Sequence, residues 1–160
     1  MENLLNKEAV QRVLKVLKGF DESIKVETLS SSARTAKDAA ESLKTEVGSI
    51  VKSLLLRRQS TFLLCLVAGD KRCSLNKIKK ILGEKDVSMG NANQVKEITG
   101  FTIGGVSPVG HLNPLKIYID QSLSRFSNIF GAAGHPNCVF KINFDNLQKI
   151  TNGEIKDISE

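Results

Sequence analysis

Ile50-Val51-Lys52-Ser53-Leu54-Leu55-Leu56, then Arg57-Arg58-Gln59-Ser60, then Thr61-Phe62-Leu63-Leu64-Cys65-Leu66-Val67-Ala68: this stretch decides the fold. Two apolar runs, each of strand length, flank four polar residues. The interruption reads as a hairpin turn with a basic tip. The longest apolar run, residues 62–68, falls far short of the ~20 residues a membrane span requires, so it reads as a buried strand.

Working outward, both element types alternate along the chain. Val10, Val13, Leu14 and Leu17 mark one helical face over residues 7–18, with Gly19 as its stop. Residues 24–27 alternate as a short strand. Thr35 and Asp38 have capping-box spacing and open an Ala-rich helix to about residue 44. Beyond the hairpin, Ser74 caps a helix carrying Leu75, Ile78, Ile81 and Leu82, which Gly83 ends. A short helix over 91–99 closes at Gly100. Strands are expected over 116–120, 127–131 and 139–144, and Asp145 starts a last helix. So many strands, several in apparent hairpins, predict an α/β fold: a mixed, mostly antiparallel, barrel-like sheet surrounded by helices. The pattern does not give the strand order.

Composition narrows the function classes. The 160 residues suit one domain spanning residues 1–160, and 41% hydrophobic content is enough for a core. With no Trp and one Tyr, that core is aliphatic. The first residues carry no basic and apolar segments of a secretory signal. Three cysteines, Cys65, Cys73 and Cys138, with no CxxC spacing argue against a disulfide framework and a zinc site, and suit a reducing cytoplasm. Two histidines are too few to propose a metal centre, so no metal and no cofactor are expected. A net charge of +6 favours an anionic partner, although a merely soluble basic surface explains it as well.

Three features carry chemistry. Lys52 is a cation inside an apolar strand; it either faces solvent or sits in a cleft, gripping a phosphate or polarising an ester carbonyl. Gly104-Gly105-Val106-Ser107-Pro108-Val109-Gly110-His111 is neither a Walker A loop nor GxGxxG. It is either a plain turn or a loop whose backbone approaches a ligand and aims N–H groups at it. Gly131-Ala132-Ala133-Gly134-His135-Pro136 leaves space beside a single titratable group, His135. No GxSxG or HExxH is present, so a hydrolase built on these residues attacks an already activated bond. Cys65, in apolar surroundings, is a poor nucleophile.

Taken in order, several segments resemble the YbaK/EbsC-like family, the INS or ProX editing-domain superfamily: Ser32-Ala33-Arg34-Thr35-Ala36-Lys37-Asp38, Gly48-Ser49-Ile50-Val51-Lys52-Ser53-Leu54, Val67-Ala68-Gly69-Asp70-Lys71-Arg72, the glycine loop closing at His111, and the segment from Gly131 to Pro136. The likeness spans residues 24–158. It implies a compact α/β fold and hydrolysis of mischarged aminoacyl-tRNA, with a stand-alone member of the ProXp-x-like or Cys-tRNA(Pro) deacylase-like branches as the nearest form. The substrate would be tRNA for proline carrying a small wrong amino acid such as Ala or Cys.

By this resemblance Lys52, Gly104 and His135 are catalytic positions. Lys52 contacts the terminal phosphate or orients the 3′ adenosine and its ester, and His135 lies near the substrate side chain in some branches. Ser53, Gly105, Val106, Ser107, Pro108, Gly131 and Gly134 are implied to hold the aminoacyl group. Arg57, Arg58, Lys71 and Arg72 are candidates for tRNA backbone contact, a solvated turn being the equal alternative. Partners would be the 3′ acceptor end of an aminoacyl-tRNA and a prolyl-tRNA synthetase, with no membrane or DNA. Water would attack the ester with help from the neighbouring ribose hydroxyl. Two rivals stand beside this reading: a non-catalytic module of the same fold that binds tRNA or a synthetase, and a nucleotide or small-molecule hydrolase.

Overall fold

The computed structural model describes residues 3–30 and 34–160. Its helices are α1 (Glu8–Phe20), α2 (Ala36–Leu43), α3 (Leu75–Leu82), α4 (Ala92–Thr99) and α5 (Phe144–Thr151). Its strands are β1 (Val26–Thr28), β2 (Val51–Arg58), β3 (Thr61–Ala68), β4 (Val87–Met89), β5 (Lys116–Asp120), β6 (Ile129–His135), β7 (Cys138–Ile142) and β8 (Glu154–Lys156). No described helix is long and apolar enough to cross a membrane.

The helix ends follow their local chemistry. Thr35, Ser74, Asn91 and Asn143 each accept a backbone N–H of the first turn with a side-chain oxygen. At α4 the cap is reciprocal, because Gln94 reaches back to the Asn91 N–H. Gly83 and Gly100 end α3 and α4 in the left-handed conformation. The strands expected over 24–27, 127–131 and 139–144 fall instead at Val26–Thr28, Ile129–His135 and Cys138–Ile142, and two helix ends shift. The first helix runs past Gly19 to Phe20, and the last begins at Phe144 with Asn143, not Asp145, as its cap.

The hairpin forms as expected, with Val51 opposite Ala68 and Arg58 opposite Thr61. Arg57 and Arg58 belong to the strand itself, so the turn is Gln59 and Ser60 alone, with Gln59 at φ 52°. β2 and β3 form the middle of a five-stranded sheet ordered β4-β2-β3-β5-β8, and β1-β7-β6 is a second sheet. Four pairings are antiparallel and two, β3 with β5 and β5 with β8, are parallel. The mixed, mostly antiparallel arrangement with helices around it is therefore present, but as two sheets rather than one closed barrel. Among the described residues a parallel bridge, Ile50 to Phe130, links them.

The unbroken apolar run of β3 has a structural cause. Leu64, Leu66 and Ala68 enter the large core, together with Val10, Val13 and Leu17 of α1 and Phe140 of β7. Leu63, Cys65 and Val67 enter a second cluster with Ile78 of α3 and Tyr118 of β5. Both faces of the strand are buried, so alternation with polar residues is lost.

Candidate functional site

A cleft of about 450 Å³ opens where β2 leaves one sheet and meets the other. The register explains it. Gly69 N–H donates to the Ile50 carbonyl (2.8 Å), and Gly90 N–H to the Leu55 carbonyl on the opposite edge (2.8 Å). Even-numbered residues of β2 thus bond to β3, and odd-numbered ones turn N–H and C=O the other way. On that other edge β4 and the Gly90 that follows it reach only as far as Leu55, and the bridge to β6 is at Ile50. The backbone between, Ser53 above all, faces the gap.

Lys52, Ser53, Gly104, Val106 and Gly131, all singled out from sequence, line this cleft together. The remaining walls are largely apolar: Ile50, Leu55, Met89, Val95, Ile103 and Val139 among them. Lys52 is half-buried, and its ammonium donates to the carbonyl of Lys71 on the turn after β3. One of its three N–H donors is so occupied. Burial pulls the Lys52 pKa below the usual lysine value, an effect opposed by the nearby Cys73 and Asp70 and reinforced by Arg72. Asp70 itself is committed to Arg125, which donates two hydrogen bonds to it at 2.7 and 2.9 Å. Ser53 Oγ is buried and has no hydrogen-bond partner among the described residues.

The glycine loop approaches from the other side. Gly104 has φ 92°, a conformation that L side chains rarely adopt. Gly105, Ser107 and Pro108 do not line the cleft; they hold the loop. A Cβ on Gly105 would meet the backbone of His135, and one on Gly131 would stand 3.2 Å from Pro108 Cδ and 3.1 Å from the Phe140 ring. Ser107 is fully buried; its hydroxyl accepts the Val109 N–H, and its carbonyl bonds His111 Nε2 at 2.7 Å. Gly134 packs on the first turn of α1, where a Cβ would stand 2.7 Å from the Ala9 carbonyl. His135 Nδ1 accepts the Asn137 N–H at 3.0 Å, and it is the next residue, Pro136, that lines the cleft.

Lys71 and Arg72 sit on the turn that receives the Lys52 ammonium. Arg57 and Arg58 lie at the far end of β2, where Arg57 makes a paired contact with Asp86 at 2.7 and 3.2 Å. Of the matching segment around residue 34, Ser32 and Ala33 lie outside the described residues. Arg34 is described, and it was missed as a site residue: it lines the cleft beside Gly104. Nothing in its local pattern sets it apart from a surface arginine before a helix cap.

Among the described lining residues, Arg34 and Lys52 are the two that carry charge, and both are cations. None is Asp, Glu, His or Cys. Such a cleft suits an anion attached to a mostly apolar group. The Cys65 thiol is held protonated by its hydrogen bond with Cys73 and by burial. No group of three His, Cys, Asp or Glu that could hold a metal occurs among the described residues.

The model of the aminoacyl-tRNA editing domain family matches residues 30–150. YwhH of Bacillus subtilis (strain 168), an uncharacterized protein, is 34% identical over 118 residues, 73% of this chain and 74% of that one. EbsC of Enterococcus faecalis, described as a candidate Cys-tRNA(Pro)/Cys-tRNA(Cys) deacylase, is 28% identical over 126 residues, 78% of this chain and 77% of EbsC. Among solved structures, a candidate trans-editing enzyme for prolyl tRNA synthetase superposes with a TM-score of 0.90 at 35% identity, covering 96% of this chain and 98% of its own.

Proposed function

This chain belongs to the aminoacyl-tRNA editing domain family, and from that premise we propose that it hydrolyses the ester joining a wrongly attached amino acid to the 3′ end of a tRNA. The substrate we propose is tRNA for proline carrying a small amino acid such as Ala or Cys. The relative described as a candidate Cys-tRNA(Pro)/Cys-tRNA(Cys) deacylase and the structure described as a candidate trans-editing enzyme for prolyl tRNA synthetase support that choice.

One observation carries the reading: a half-buried cation, Lys52, and a left-handed glycine, Gly104, line one cleft of about 450 Å³. That volume admits an amino acid still tethered to a ribose. In the proposed complex Lys52 and Arg34 face the phosphate and ester end, where negative charge resides or develops. The apolar walls enclose the side chain. Ser53, with its free hydroxyl and outward backbone, meets the polar atoms of the aminoacyl group.

The lining holds no carboxylate, imidazole or thiol to serve as base or nucleophile. This supports substrate assistance. The ribose hydroxyl next to the ester positions a water, the water oxygen attacks the carbonyl carbon, and the ribose oxygen leaves with the proton. The protein contributes orientation and cationic stabilisation of the developing oxyanion. His135 takes the outer role, shaping the backbone behind the loop.

The test is release of amino acid from tRNA for proline charged with Ala, Cys or Pro. Hydrolysis of the Ala or Cys ester, with the Pro ester spared, is expected. Binding of all three without release would make the chain a capture module. Turnover of free nucleotides in place of charged tRNA would make it a different hydrolase.

A further inference from the structure

Arg12 is not among the residues that line the cleft, yet it reaches both flanks of the loop segment, residues 100–110, that forms one wall. Its Nε donates to the Gly110 carbonyl at 3.0 Å, and its Nη2 to the Gly100 carbonyl at 2.9 Å. Its guanidinium carbon lies 4.8 Å from the centroid of the Phe101 ring, and Nη1 is paired with Glu8 one turn earlier on α1. Both glycines are left-handed, at φ 79° and 82°; Gly100 is where the chain leaves α4, and Gly110 lies within the irregular stretch that runs on to β5 at Lys116. Between them lie Ile103, Gly104 and Val106, the loop's contribution to the cleft.

The packing is close on each side. A Cβ on Gly100 would stand 2.4 Å from Arg12 Nη2, and one on Gly110 3.2 Å from the Val13 nitrogen. The same helix meets Gly134 through Ala9 and Val10. Thus α1 braces both glycine segments beside the cleft. It does so from outside residues 30–150, the span that matches the family model. Its apolar face, Val10, Val13 and Leu17, is fully buried in the core, which fixes Arg12 in place.

We infer that Arg12 is a positioning residue for the editing reaction: its guanidinium fork ties Gly100 to Gly110 and so holds Gly104 and Val106 at the distance the aminoacyl group requires. The inference rests on the proposed deacylase reading. A planar fork is needed, because the two carbonyls are met by different nitrogens; a single ammonium is a point donor on a flexible stem and does not reproduce that geometry.

The experiment compares wild type, Arg12→Met and Arg12→Lys by amide hydrogen exchange and by deacylation kinetics on Ala- and Cys-charged tRNA for proline. Arg12→Met is expected to speed exchange at residues 101–110 by about tenfold while the amides of β3 stay protected. It is also expected to lower kcat by roughly tenfold or more, since loss of ~1 Å in positioning costs up to a hundredfold. Arg12→Lys should recover part of both. Loop exchange equal to wild type in Arg12→Met would overturn the inference. So would exchange rising equally in the loop and β3, which is the mark of a merely structural role. A wild-type chain that fails to deacylate would refute the functional reading, and the exchange comparison would still decide whether Arg12 braces the loop.

Discussion

Gly105 lies directly on the backbone of His135: a Cβ at Gly105 would stand 3.0 Å from the His135 Cα and 3.1 Å from its nitrogen. The glycine loop and β6 therefore meet main chain to main chain, and neither can yield by rotating a side chain. Gly105→Ala is expected to destabilise the fold by about 1–3 kcal/mol, the usual cost of overpacking, and to widen the cleft. Thermal melting and deacylation of the same variant read the two effects. Gly104 is limited differently. The nearest atom to a Cβ there is Arg34 Cγ at 3.5 Å, so space is adequate and the φ of 92° is the obstacle. Gly105→Ala with wild-type melting and activity would break the link drawn between loop and strand.

How much of this was legible beforehand depends on how local each cause is. The β2–β3 hairpin is contiguous and mostly apolar, and Lys52 shows as the one charge in the run from Ile50 to Leu56. Helix caps are signals a few residues long, so Thr35, Ser74, Gly83 and Gly100 show in the sequence, whereas Gly19 and Asp145 mislead because the helix runs past the one and a cap two residues earlier starts the other. β4 and β8 have three residues each, too few for a period to show. The split into two sheets depends on where β2 stops pairing, a long-range property. Arg12 and Arg34 look like ordinary solvent-facing arginines until α1 and the glycine loop are seen side by side. Of the grouped loop residues, those lining the cleft and those holding it from behind carry the same composition, so only packing separates Gly104 from Gly105.

Lys52→Ala is expected to slow deacylation by about a hundredfold, the scale of losing one preorganised electrostatic contact to a developing oxyanion. Stability should change little, because the half-buried ammonium carries a desolvation cost that offsets its bond to the Lys71 carbonyl. Single-turnover hydrolysis beside a melting curve separates these. A folded Lys52→Ala chain that hydrolyses at the wild-type rate removes Lys52 from the chemistry.

Ser53 gives the reverse pattern. A buried hydroxyl without a partner costs about 1–3 kcal/mol, so removing it relieves the free protein. Ser53→Ala should melt at the wild-type temperature or above it, and yet bind charged tRNA with a KM raised several-fold. An unchanged KM would show that substrate does not use the hydroxyl.

His111 couples the loop to pH. Burial pushes its pKa below the ordinary 6.5, the Arg12 guanidinium pushes the same way, and the bond to the Ser107 carbonyl opposes both. The unfolded chain therefore binds a proton before the folded one does. The stabilisation is complete above about pH 6.5, the unfolded value, and is lost as pH falls towards the depressed folded value. Melting measured from pH 7.5 down to 5 should fall more steeply in wild type than in His111→Gln, whose side chain does not titrate. Parallel curves would exclude His111 as the source.

The basic residues divide by position along β2. Lys71 and Arg72 sit on the turn that holds the Lys52 ammonium, whereas Arg57 is five residues further along the strand, about 17 Å at ~3.3 Å per residue. Arg57 is also tied to Asp86 by two hydrogen bonds, which offsets its charge. A phosphate next to the bound 3′ end thus meets Lys71 and Arg72 first. Arg72 pairs with Glu160 through backbone atoms alone, N–H to carbonyl in both directions, so its side chain can be changed without opening that contact. Lys71→Ser with Arg72→Ser is expected to weaken tRNA binding and to flatten the plot of log affinity against log salt by about 1.4, at ~0.7 per single-stranded phosphate released. Arg57→Ser with Arg58→Ser should leave that slope near the wild-type value. Equal slopes in both pairs would mean that the tRNA backbone follows the full length of β2, and a reversed order would place the acceptor end at the hairpin tip, away from Lys52.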